Sequence, residues 1–225
     1  NVAIGVGALD AQTSGGDGNV AVGHFTLSEN TTGDNGVAVG YNALNANTTG
    51  GSNTAIGYGA ILTNTTGSEN TAVGRNSLYS NTTASYNSSL GYYSLYANTT
   101  GAYNTAVGHM ALMTGTTTND NTAVGYSALK VSTAQRNTAI GNQAMIANTT
   151  GNYNTAIGAY ALDANTTADN NVAVGDAALS ANTTGTGNAA VGRYALFTNS
   201  TANYNTGVGF EALKLNTTGA LNTAI

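Results

Sequence analysis

Short apolar triplets alternate with polar turns along this chain on a fixed beat. A pentapeptide of the form Asn-Thr/Val-Ala-Val/Ile-Gly starts at positions 1, 19, 36, 53, 70, 87, 104, 121, 137, 154, 171, 188, 205 and 222. The steps are 17 residues, except one of 18 at the start and one of 16 between 121 and 137. There are 13 complete repeats and the beginning of a fourteenth. The consensus is N-T-A-V-G-x-x-A-L-x-x-N-T-T-G-x-x, and its positions are called columns 1 to 17.

Two columns are aliphatic or Met throughout: column 4 (Ile4, Val22 and onward to Ile225) and column 9 (Leu9 to Leu213, with Ile61 and Met145). Column 3 is Ala except for Ser89 and Gly207, and column 8 is Ala, Ser or Thr. Columns 6, 7, 10, 11, 16 and 17 vary freely. In an extended segment columns 2 and 4 share one face and column 3 takes the other. Thr, Val and Ile favour strands, whereas Asn and Gly interrupt them. A 17-residue period is too short for helical-hairpin repeats, which run from about 33 residues upward.

The pattern therefore predicts an all-β parallel solenoid of about 13 coils. Columns 2–4 are read as a first strand and columns 8–10 as a second. Columns 4 and 9 point inward, and Asn-Thr-Thr-Gly forms a turn. Column 5 is Gly in every complete repeat: Gly5, Gly23, Gly40, Gly57, Gly74, Gly91, Gly108, Gly125, Gly141, Gly158, Gly175, Gly192 and Gly209. Such a column implies a positive φ or an approach too close for a Cβ, and these glycines are the expected structural residues. The absence of Pro agrees with strands whose N–H groups are all used. Two large aliphatic residues per coil make a thin core. The small residues of columns 3 and 8 would let copies of the chain pack side by side. Residues 1–225 read as one repeat array. It opens at a repeat boundary and stops inside a repeat, as a segment of a longer fibre would.

Composition narrows the function. Asn, Thr and Gly supply 99 of 225 residues, and charged residues are only 7%. With no Cys there is no disulfide scaffold and no thiolate metal or redox site. Five Lys and Arg give no basic patch for nucleic acid. No apolar run approaches the ~20 residues of a membrane-spanning helix.

The segments Asn35-Gly36-Val37-Ala38-Val39-Gly40 and Asn170-Asn171-Val172-Ala173-Val174-Gly175 resemble the N-S-V-A-I-G head repeat of trimeric autotransporter adhesins. Asn1-Val2-Ala3-Ile4-Gly5 and Asn19-Val20-Ala21-Val22-Gly23 share its core. The full consensus also resembles repeat regions of phage tail-fibre proteins. The resemblance spans the chain. It implies a left-handed parallel β-roll that is trimeric and displayed outside a cell or on a virion tail. The coil here is longer than in the adhesin heads, and Thr often replaces the first Val. On this reading the protein is a structural and adhesive extracellular fibre segment, either a surface adhesin or filament, or a phage tail-fibre shaft. The expected partners are further copies of itself and a host-surface glycan or protein.

Candidate chemistry is sparse. His24 and His109 both fall in column 6, five coils apart, and cannot share a metal ion. The ten carboxylates form no repeated pair, so no enzyme, metal or cofactor is expected. Asn-x-Thr sequons begin at column 12 in Asn30, Asn47, Asn64, Asn81, Asn98, Asn148, Asn165, Asn182, Asn199 and Asn216. They read either as glycosylation sites or as a stacked amide ladder, and glycans on every coil would collide. Tyr41, Tyr58, Tyr92 and Tyr126 in column 6 are candidate surface-binding residues; Tyr86, Tyr103, Tyr153 and Tyr204 occupy column 17. Packing between protomers is the competing role for these rings. Thr-rich columns leave ice binding as a further alternative, although column 2 is broken by Val and by Ala189.

Overall fold

The computed structural model describes residues 1–12 and 15–225. They form two compact units, Asn1–Thr118 and Asn119–Ile225. Both are parallel β-solenoids. The first unit holds seven three-residue strands, from Val2–Ile4 to Thr105–Val107. The second holds six more of three residues, from Thr122–Val124 to Thr206–Val208, and a two-residue strand, Thr223–Ala224. Each strand lies on columns 2–4 and pairs in parallel with its neighbours, column on column. In the first unit Ala38 meets Ala55 and Ile56 meets Val73. In the second Thr138 meets Thr155. Among the described residues there is no helix.

The strand faces are inverted relative to the sequence reading. Ala of column 3 fills the interior: Ala21, Ala38, Ala55, Ala72 and Ala106 have no exposed surface. Column 4 points outward, with Ile56 39% and Leu90 49% exposed in the first unit and Val191 40% in the second. The physical reason is width. A coil that must also house Leu of column 9 and two Asn side chains has room for a methyl opposite them, not for a Val or Ile. Columns 3 and 8 are thus interior columns and cannot form the contact between copies expected of them.

Columns 8–10 are not a strand either. Column 9 adopts a left-handed backbone in all 13 coils, with φ between +47° and +54°. A strand sends successive side chains to opposite faces. The left-handed residue breaks that alternation, so columns 8 and 9 both point inward. Ala43 and Leu44 are both fully buried, as are Ala161 and Leu162. The column 9 N–H then reaches the next coil, as in Leu44 N–H to the Ala60 carbonyl at 2.9 Å. Column 9 thus points inward, as the repeat pattern predicts. A left-handed Leu costs roughly 1–2 kcal/mol. Burying it contributes roughly 1.5–3 kcal/mol, enough to hold the conformation.

Candidate functional site

Three kinds of side-chain row are built on these coils. The first is made of buried amides. In column 12 Asn64 uses its whole amide: its Nδ2 donates to Asn47 Oδ1 at 2.7 Å and to the Gly67 carbonyl at 2.9 Å. Its Oδ1 accepts from Asn81 Nδ2 at 2.7 Å. The second unit repeats this with Asn165 on Asn148 at 2.8 Å. Of the ten sequon Asn, all but Asn216 are buried. The ladder is therefore the role the folded chain gives them. Column 1 Asn forms a second ladder. Asn70 Oδ1 accepts the Asn87 backbone N–H at 3.0 Å, and Asn70 Nδ2 donates to the Ala84 carbonyl at 2.8 Å.

Column 13 Thr hydroxyls donate to the next coil's carbonyl, as in Thr48 to Thr65 at 2.9 Å. Column 16 varies in sequence, yet several of its side chains accept from the preceding coil. Asp34 Oδ1 takes the Asp17 N–H at 2.7 Å, Ser85 Oγ takes that of Ser68 at 2.9 Å, and Asn152 Oδ1 takes that of Gln135 at 2.9 Å. The signal was present in the sequence: Asp, Ser, Asn and Thr recur there, all short acceptors.

Column 5 glycines behave as expected. Their φ lies between +127° and +143° in all 13 coils, a region closed to other residues. Space is also lacking, since a Cβ on Gly74 would lie 2.6 Å from the Gly91 carbonyl oxygen.

The second kind of row is aliphatic: column 4, outward along the strand face. Column 2 lies on the same face and is half-exposed or exposed throughout.

The third is aromatic. Tyr41, Tyr58 and Tyr92 lie in the first unit and are exposed, whereas Tyr126, also exposed, belongs to the second. His24 stacks on Tyr41 at 5.3 Å between ring centroids, and Tyr41 on Tyr58 at 5.2 Å. Tyr92 stacks on His109 at 5.1 Å. Arg75 lies between the two groups, 5.5 Å from the Tyr58 ring and 5.9 Å from that of Tyr92. In column 17 Tyr86 stacks on Tyr103 at 5.1 Å, and Tyr153 accepts a hydrogen bond from Arg136 at 2.8 Å. The Arg193 guanidinium is held above its ordinary pKa by its hydrogen bond to Tyr194 and then by Asp176.

Among the described residues no three His, Asp or Glu side chains come together as a metal site, and no helix is long and apolar enough to cross a membrane. No family profile matches the chain, and neither a curated protein nor a solved structure is significantly similar to it.

Proposed function

We propose that this chain is a non-catalytic, structural and adhesive segment of an extracellular fibre, assembled as a homotrimer of left-handed solenoids. The outward column 4 row carries this reading. A typical inner coil closes its own interior with Ala, Leu and two amide ladders, and it still presents a large aliphatic residue to solvent. Repetition of that residue on coil after coil makes a contiguous apolar stripe of the kind that marks an interaction face. A second copy of the same chain carries the same stripe with the same period. It is thus the partner whose side chains stay in step over many coils. The resemblance to trimeric adhesin heads supports three copies around one axis and display at a cell surface. The tail-fibre resemblance supports the same architecture on a virion.

Sedimentation equilibrium of the 225-residue chain tests the assembly. The expected mass is three times 22.4 kDa. Ile56→Lys with Leu90→Lys, placed in the stripe, should yield monomers that keep their far-UV spectrum. A wild-type monomer at tens of micromolar would sink the trimer. A second reading arises from the same face, because Thr54, Thr71, Ser88 and Thr105 stand beside the column 4 residues on the outward side of the strands. An ice-binding solenoid would be a monomer that shows thermal hysteresis.

A further inference from the structure

We propose that the column 6 row of the first unit, from His24 to His109, is a binding surface for an extended β-1,4-linked glycan lying along the coil axis. The inference deepens the adhesive part of the reading above and rests on that part alone. The row runs through six consecutive coils as His24, Tyr41, Tyr58, Arg75, Tyr92 and His109, every one of them exposed. The fold does not require it. The second unit builds the same coils with Tyr126, Asn142, Ala159, Asp176, Arg193 and Phe210 in column 6, where three consecutive coils carry no ring or guanidinium. An uninterrupted run of π systems and one guanidinium in a freely varying surface column therefore calls for an explanation outside folding.

The geometry of the row selects the ligand. Its rings are nearly parallel, with interplanar angles of 1°, 10° and 17°, and their centroids repeat at 5.1–5.3 Å. Stacked in this way, the rings occupy each other's faces. They offer a polymer their edges and one polar group per coil: a phenol hydroxyl, an imidazole nitrogen or the guanidinium. A linear partner that binds along such a row must advance by one unit per coil. An extended peptide strand advances by ~3.3 Å per residue, a polyproline helix by ~3.1 Å, and each strand of a stacked DNA duplex by ~3.4 Å per nucleotide. All three fall out of step within two coils. A β-1,4-linked pyranose chain is flat, two-fold and extended, and each of its sugars advances by close to the ring spacing of the row. Each sugar then places a hydroxyl against a phenol, imidazole or guanidinium. Its C–H face rests on the apolar edge beneath.

The surroundings suit a neutral or acidic polysaccharide. Across these coils columns 6, 7, 10 and 11 carry Arg75 and a single carboxylate, Glu29. A second short row widens the apolar floor. Tyr79 stacks on Tyr96 at 5.2 Å and is joined to the first row through Tyr93, 4.7 Å from Tyr96 and 4.3 Å from Tyr92. With one weak contact per coil, affinity must grow with the number of coils engaged.

Titration calorimetry of the 225-residue protein with β-1,4-linked oligosaccharides of two, four and six sugars tests this. Separate arms use glucose and N-acetylglucosamine chains to tell the two sources of the linkage apart. Affinity should rise by at least about tenfold from the disaccharide to the hexasaccharide. An α-1,4-linked glucose hexamer, which coils instead of extending, should bind about tenfold more weakly or not at all. Tyr41→Ser with Tyr58→Ser, and separately Tyr92→Ser, should weaken hexasaccharide binding by about tenfold and leave the unfolding midpoint in place, because other coils accept small residues in this column. Quenching of tyrosine fluorescence by the hexasaccharide gives an independent readout. Equal affinity for two and six sugars overturns the inference. So does equal affinity for the α-linked chain, unchanged binding by the serine variants, or no binding at millimolar hexasaccharide. A trimer that binds no glycan defeats this surface and leaves the fibre reading standing. A monomer that binds glycans does the reverse.

Discussion

Replacing Asn64 with Ala isolates the contribution of one rung of the column 12 ladder. The substitution removes three hydrogen bonds, to Asn47 Oδ1, to the Gly67 carbonyl and from Asn81 Nδ2. Two of the abandoned groups keep another partner. The Gly67 carbonyl still accepts from Asn53 Nδ2 at 2.7 Å, and Asn81 Nδ2 still donates to the Ala84 carbonyl at 3.0 Å. Asn47 Oδ1 is left buried and alone. Two bonds at about 1 kcal/mol each, plus about 1–3 kcal/mol for the stranded acceptor, give a destabilisation of about 3–5 kcal/mol. Asn64→Asp should do worse, because it turns a carboxylate oxygen toward two acceptors. Thr66 is exposed, and Thr66→Ala should stay within about 0.5 kcal/mol of wild type. Urea titrations followed by far-UV circular dichroism compare the three variants. If Asn64→Ala loses less than about 1 kcal/mol, or no more than Thr66→Ala, then the amides pack the turn without bonding it and the argument fails.

Gly74→Val should disrupt its coil outright, through both φ of +131° and the Gly91 carbonyl, whereas Arg75→Val in the next column should unfold at nearly the wild-type midpoint; equal midpoints would refute the role of column 5. Ile61 is the one β-branched residue in column 9, and Ile61→Leu should stabilise the protein by about 0.5–1 kcal/mol in urea titrations, since branching makes its φ of +49° harder to hold. Ser77, Ser89 and Ser94 form a buried hydroxyl cluster with Oγ–Oγ separations of 2.6–3.1 Å. Ser89→Ala should cost about 1 kcal/mol by thermal unfolding, but the triple Ser→Ala variant should lie near wild type, because it leaves no hydroxyl without a partner. Mass spectrometry of the chain folded before exposure to an oligosaccharyltransferase should show no glycan on Asn47 or Asn64, whose amide hydrogens are all committed.

The sequence made the period, the solenoid and the column 5 glycines legible, since each rests on a rule with one outcome: a fixed repeat, strand-forming triplets, a residue without a Cβ. The orientation of columns 3 and 4 was not legible. Alternation shows that Ala55 and Ile56 face opposite ways but not which way is in. Hydrophobicity favoured Ile56, and the narrow interior favoured Ala55. The left-handed Leu of column 9 was hidden for a different reason. Gly and Asn advertise that conformation, whereas Leu does not; burial offsets its strain, and exposed residues such as Tyr103 at φ +60° hold it as well. The Tyr41–Tyr58 row could be counted in the sequence as a column, but its parallel stacking and its contact with Arg75 depend on coil spacing and side-chain direction.

The ladders also bear on how such a protein changes size. Within each unit a coil bonds to the coil before and the coil after, through equivalent donors and acceptors wherever columns 1 and 12 are both Asn. Excision of residues 53–69 would bring column 1 of one coil against column 1 of another, with every amide again facing an acceptor. Gain or loss of any other number of residues has to be absorbed in a turn. The 16-residue repeat does this by omitting column 14, and Thr133 keeps its bond to the Thr149 carbonyl at 2.9 Å. A recombination between two repeats that keeps the columns aligned changes the chain by whole coils. Reach is thus a trait that heredity can adjust in steps, lengthening or shortening the molecule without redesigning it.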